Sequence, residues 1–241
     1  MSVIVWEQGT LSRVQTLARA LRFSGGTAAF VGGGGKSTLI AQLAQELCAA
    51  GARVIVTTTT HIRMPHAYVD PADRSGICAA LARGEIVTAG IPTERGKLRG
   101  GDEGSLAQLR GLCDALLIEA DGAHERPFKA PEAWEPALPP GADLVVGVAG
   151  ASALGRPIVE CHRPHIVAAL CEKPQDAPLE AQDMARVLQS TRGQRKNVAC
   201  RYEIVINQAD SGVLLERALA VARLCGQAVL RGRGQDYADT M

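Results

Sequence analysis

The chain has 241 residues, 46% of them apolar and 21% charged, enough for one well-buried α/β domain or one with a small appendage. Its 26 basic and 25 acidic residues nearly cancel and only 3% are aromatic, which argues against nucleic acid as a partner and leaves no polybasic segment for a membrane. No stretch approaches the roughly 20 apolar residues of a spanning helix.

Residues 1–26 do not read as a signal peptide, because Trp6-Glu7-Gln8-Gly9 interrupts the apolar residues and no long apolar core follows. Residues 10–21 read as a helix, with Leu11, Val14, Leu17, Ala18 and Leu21 at helical spacing, closed by Gly25-Gly26. Residues 27–31 read as a core strand. The helix that follows sets Leu39, Ile40, Leu43, Ala44 and Leu47 on one face, with Gly51 where a C-terminal glycine belongs. Val54-Ile55-Val56 reads as a parallel strand buried on both faces. Residues 61–114 are less regular: a short helix is expected near residues 77–81 and a hairpin joining residues 85–88 to residues 97–99. Leu116-Leu117-Ile118 is a further buried strand. The proline-rich stretch 127–140 suits neither a regular helix nor a central strand. Residues 144–148 form another strand, and residues 151–174 a second irregular stretch. Residues 179–188 read as helix, 203–206 as strand, 213–225 as helix and 228–230 as a last strand. Alternating strands and helices imply an α/β fold, a P-loop NTPase-like, mostly parallel sheet with helices on both faces, spanning residues 1–241 as one domain with irregular insertions at about 61–114 and 151–174. Seven scattered cysteines without a CxxC pair suit a reduced cytoplasm better than disulfides or zinc.

Between the first core strand and its helix lies Gly32-Gly33-Gly34-Gly35, followed by Lys36-Ser37-Thr38. Such a loop lets backbone N–H groups close round phosphate oxygens, and the helix N-terminus adds a positive dipole. Lys36 would reach the outer phosphates and Ser37 would ligate Mg²⁺. The upstream markers are missing: Phe30 stands at the consensus glycine, and Val31 where a variant loop carries a second lysine. In sheets of this kind ligands lie at the C-terminal strand ends, and three more such ends are polar. Thr57-Thr58-Thr59-Thr60 ends one strand; Thr58 and Thr59 would hold the Mg²⁺ water shell or an outer phosphate, although threonine is also simply a good strand residue. Glu119 and Asp121 lie on one face of the next. Asp121 is assigned to Mg²⁺ and Glu119 to orienting water, with the reverse assignment open. Asn207-Gln208-Ala209-Asp210 resembles the guanine-reading Asn-Lys-x-Asp element with Gln208 in the lysine place. Asp210 would accept from guanine and Asn207 would tie this loop to the phosphate loop; alternatively Asp210 or Ser211 caps the next helix. Arg126, Lys129, Arg156, His162 and Arg163 follow strands in irregular segments, where they would bind an anionic second substrate, stabilise charge in phosphoryl transfer or be solvated. Cys161, His162 and His165 fit no closed zinc site.

Several of these pieces recur together in one known family. From Phe30-Val31-Gly32 through Gly35-Lys36-Ser37-Thr38, Val56 to Thr60, Ile118-Glu119-Ala120-Asp121-Gly122-Ala123, Lys129-Ala130-Pro131, Glu135-Pro136, Val148-Ala149-Gly150, His162-Arg163 and Ile206 to Asp210, the chain resembles the selenium-dependent hydroxylase accessory proteins (YqeC-like). The resemblance runs over roughly residues 25–235, and Glu-Ala-Asp-Gly-Ala with the downstream Lys-Ala-Pro is its most specific part. It implies a nucleotide-dependent accessory step in the maturation of a molybdenum hydroxylase, including those carrying selenium, and not a hydroxylase; the chain has no cluster-binding cysteine pattern. The expected cofactors are Mg²⁺ and a nucleoside triphosphate, GTP or ATP. The expected partners are that nucleotide and a molybdenum hydroxylase or its cofactor. Two readings stand: an NTP hydrolase or NTP-dependent transferase in which Lys36, Glu119 and Asp121 act, or a nucleotide-gated chaperone or scaffold with little turnover.

Overall fold

A computed structural model describes residues 3–210 and 212–232. Val3–Glu7 (β1) and Thr10–Val14 (β2) pair antiparallel, with Glu7 opposite Thr10. The helix expected over residues 10–21 is therefore corrected. Gln8 and Gly9, at φ 51° and 82°, make a two-residue turn in the left-handed region, which returns the chain as a strand. Only Leu17–Ala20 (α1) is helical, N-capped by the Thr16 side chain, and it buries Leu17 against the core.

Gly26–Gly32 (β3) leads through the glycine loop into Lys36–Ala49 (α2), which ends at Gly51 with φ 90° as its spacing implied. Val54–Thr58 (β4) follows, then His61–Arg63 (β5), Arg74–Ala82 (α3), Val87–Thr88 (β6), Ile91–Pro92 (β7), Lys97–Arg99 (β8), Glu103–Arg110 (α4) and Ala115–Glu119 (β9). The expected hairpin does not form. β6 joins the main sheet parallel to β4, pairing with its Ile55 and Val56, while β8 pairs with β5 and β7 in a separate three-stranded sheet. Residues 61–114 are thus more regular than composition suggests. The same holds for residues 151–174, where Pro164–Cys171 (α5) starts on a proline that suits a first helical position. Leu144–Gly150 (β10) precedes it; Ala181–Gln189 (α6), Arg201–Asn207 (β11), Gly212–Cys225 (α7) and Gln227–Arg231 (β12) complete the described chain.

The main sheet runs β2-β1-β12-β11-β10-β3-β9-β4-β6, and its strands from β12 to β6 are mutually parallel. Alternation along the buried strands sends successive side chains to opposite faces. Phe30, Val146 and Leu117 pack with α1 and α2 on one face. Ile55, Leu116 and Ile118 meet α3 and α4 on the other, and Ile204, Ile206 and Leu230 meet α5, α6 and α7 farther along it. The fold is P-loop NTPase-like α/β, with helices on both faces. Parallel strands bring the ends of β3, β4, β9, β10 and β11 to one edge, with Phe30 beside Glu119, Thr58 beside Glu119 and Gly150 beside Asn207. No helix among the described residues is long and apolar enough to cross a membrane.

Candidate functional site

The glycine loop is shaped by its neighbours. Gly32, Gly34 and Gly35 have φ of 96°, 89° and 106°, which strongly favour glycine. Gly32 N–H donates to both Asp121 carboxylate oxygens (3.1 and 2.9 Å), Gly33 N–H to Val148 O (3.0 Å) and Gly34 N–H to Arg126 O (3.1 Å). Three loop amides are thus used within the protein. Gly35 is the N-cap of α2 and offers no side-chain acceptor to the first turn, where helical N–H groups lack intrahelical partners.

Lys36 opens that turn and is 4% exposed. Its Nζ donates to Gly32 O (2.6 Å) and lies 3.1 Å from Asp121 Oδ1 and 3.8 Å from Glu119 Oε1. Ser37 Oγ donates to Glu119 Oε2 at 2.9 Å. The two carboxylates differ sharply. Asp121 is 2% exposed and holds Gly32 N–H, Lys36 and, at 3.2 Å, Lys129. Glu119 keeps 14% of its side-chain surface and faces Ser37. Ser37 Oγ and the Glu119 carboxylate present neighbouring hard oxygens, the ligand type that Mg²⁺ takes. No cluster of three or more His, Cys, Asp or Glu side chains able to hold a metal occurs among the described residues.

Asn207 Nδ2 donates to Gly34 O at 2.7 Å, so the β11 end and the glycine loop are tied as anticipated, and Arg231 fixes Asn207 from behind (Nη1 to Oδ1, 3.2 Å). Gln208, at φ 61°, accepts from Ser152 Oγ (2.5 Å). Asp210 is half-buried just ahead of α7; Ser211 lies outside the described residues. The threonine hydroxyls turn to carbonyls: Thr57 to Ala89, Thr58 to Glu119 and Thr59 to Ala137, at 2.7–2.8 Å. They knit β4 to its surroundings and none donates toward the glycine loop. Thr38 follows Ser37 in the first turn of α2 and is exposed.

Sequence reasoning left Lys129 among loop charges. It is fully buried, and its ammonium meets Asp121, Gly122 O (2.7 Å) and Glu135 Oε2 (2.9 Å). Burial by itself would raise Glu135, but Lys129 and the nearby Arg163 hold it below the usual carboxylate range. Arg163, at φ 60°, bonds Glu132 (2.9 Å) and Glu135 (3.3 Å) and lies over the exposed Trp134 ring. A chain of alternating charges therefore runs from Lys36 to the surface. His162 stacks on His124 (centroids 4.7 Å apart), and burial, then Lys129 and Arg163, push its pKa down to about 4. The signal for Lys129 was its fixed place with Ala130-Pro131 downstream of Asp121; that it is buried could not be read from a proline-rich segment.

These features define a P-loop NTPase-like α/β protein whose glycine loop rests on a buried lysine–aspartate–lysine cluster. The chain belongs to the YqeC family: the model of the family described as YqeC protein matches residues 28–165. It is also 32% identical over 208 residues to the Escherichia coli (strain K12) protein named "Uncharacterized protein YqeC", covering 80% of this chain and 79% of that protein.

Proposed function

We propose that this chain binds a nucleoside triphosphate, GTP or ATP, together with Mg²⁺, and uses it in an accessory step of molybdenum- or selenium-dependent hydroxylase maturation. The observation that carries the nucleotide reading is Lys36. It stands in the uncapped first turn of α2, beside Ser37 and Glu119, with its ammonium on a loop carbonyl and a carboxylate it can exchange for phosphate oxygens. Lys36 would pair with the outer phosphates, and the first-turn amides of α2 would receive their oxygens. Ser37 and Glu119 would hold Mg²⁺, which supplies charge neutralisation on the phosphates. This is the reverse of the assignment that gave the metal to Asp121, whose oxygens are engaged by Gly32 N–H and two lysines. Asp210 would meet the base, while Asn207 holds that loop against the glycine loop. The maturation role rests on the family resemblance.

One observation favours the second reading, a nucleotide-gated chaperone or scaffold for a molybdoenzyme or its cofactor. With Asp121 engaged, Glu119 is the one partly exposed acid of the pair, fewer than a hydrolase with separate metal and water-orienting carboxylates would offer. The test is equilibrium binding of GTP, ATP and CTP with Mg²⁺ to wild type, Lys36→Ala and Asp210→Asn, followed by phosphate release. Wild type is expected to bind GTP or ATP, and Lys36→Ala to weaken binding about tenfold or more. Absence of binding to any of the three would overturn the reading. Phosphate release that disappears in Lys36→Ala selects the enzyme; tight binding without release selects the scaffold.

A further inference from the structure

Asp121 sits between two ammonium groups that are held very differently. Lys36 has one hydrogen-bond acceptor, Gly32 O, and pairs with Asp121 Oδ1 at 3.1 Å and, more distantly, with Glu119 Oε1 at 3.8 Å. Lys129 is fully buried: its ammonium donates to Glu135 Oε2 (2.9 Å) and Gly122 O (2.7 Å) and stands in an ion pair with Asp121 Oδ2 at 3.2 Å. If Lys36 were the sole cation on Asp121, turning toward a phosphate would strand a carboxylate in a site 2% exposed, and an unpaired buried charge is strongly unfavourable. We infer that Lys129 is a positioning residue, the standing counter-ion of Asp121, which frees Lys36 to take an anionic ligand without leaving that carboxylate unpaired.

This rests on the reading of Lys36 as a phosphate ligand. Remove Lys129, and Glu135 keeps Arg163 at 3.3 Å, but Asp121 keeps, besides the Gly32 N–H, Lys36 as its one cation, which is then locked in place. The experiment measures affinity of the full chain for its best Mg²⁺-nucleotide in wild type, Lys36→Met, Lys129→Met and the double variant Lys129→Met/Asp121→Asn. Asparagine retains a carbonyl oxygen for Gly32 N–H but no charge to hold Lys36. Lys129→Met is expected to bind about tenfold or more weakly, and the double variant to return to within about threefold of wild type. A purely architectural Lys129 would leave the double variant as weak as the single one, and that result overturns the inference. So does wild-type affinity in Lys129→Met while Lys36→Met is weak, an outcome that leaves the phosphate reading standing. If wild type binds nothing, or Lys36→Met binds like wild type, the phosphate reading falls and this inference with it. Should Lys129→Met not fold, ¹⁵N-detected lysine signals of the wild type decide. Nucleotide should shift Lys36 and leave Lys129 in place; a shift of Lys129 with Lys36 unmoved overturns the inference.

Discussion

His162 shows how the cluster acts on a single side chain. Burial removes water from the imidazole, and the ammonium of Lys129 and guanidinium of Arg163 oppose a further positive charge, so its pKa falls from 6.5 to about 4. The unfolded chain takes up that proton near pH 6.5 and the folded chain only near pH 4. In this window the unfolded state binds more protons, so stability declines as pH falls from 6.5 to about 4 and this residue adds no further slope below. His162→Gln should flatten that part of the profile, read as melting temperature against pH beside wild type. An unchanged difference across the window would mean that His162 is not held neutral. The Lys36 and Lys129 substitutions belong to the same scale, since each changes which cation faces Asp121. Here the sequence was half legible. Lys36, Ser37, Glu119 and Asp121 stand out by spacing, and the fold does bring them together; the division of labour between the two carboxylates does not, because it depends on a lysine eight residues beyond Asp121 folding back under it.

At the scale of elements, the glycine loop is a junction of three segments. A Cβ on Gly34 would fall 2.3 Å from Gly150 N and 2.7 Å from Pro127 O, and its φ of 89° already disfavours other residues. Both obstacles are backbone, so nothing small can swing aside. Gly34→Ala is expected to destabilise the protein by about 3 kcal/mol or more. Gly51→Ala, at φ 90° with nothing near its Cβ, should lose only about 1–2 kcal/mol. Urea midpoints of the two variants compare them; equal losses would show that the junction imposes no constraint beyond the backbone angle. The helices α2 and α7 and the core strands were readable from their apolar spacing. The hairpin β1–β2 was not, because Leu11, Val14, Leu17 and Leu21 keep helical spacing across what is a strand, a turn and a single helical turn.

Across the whole molecule, the parallel sheet is the frame that sets the site. Phe30 is fully buried in β3, directly opposite Glu119 in the register of β3 and β9, and packs with α2. It occupies the place of a loop glycine in the usual consensus, yet it serves the core. Phe30→Ala should cost about 3–5 kcal/mol of stability. Nucleotide affinity of the fraction that remains folded should change far less, measured by denaturation and by binding on the same samples. A variant that keeps its stability but loses binding would place Phe30 in the site instead.

The sequence by itself determined the α/β class, the glycine loop between a strand and a helix, the two carboxylates at one strand end and the family. These are local facts: side-chain period and residue spacing act within one element or one turn. Only the tertiary structure decided that β6 closes beside β4, that Asn207 ties its strand end to the glycine loop, and that Lys129 lies under Asp121. These are contacts between segments far apart in the chain or folded out of a proline-rich loop, and they are selected by which unpaired backbone group or buried charge each partner satisfies, which no local spacing records.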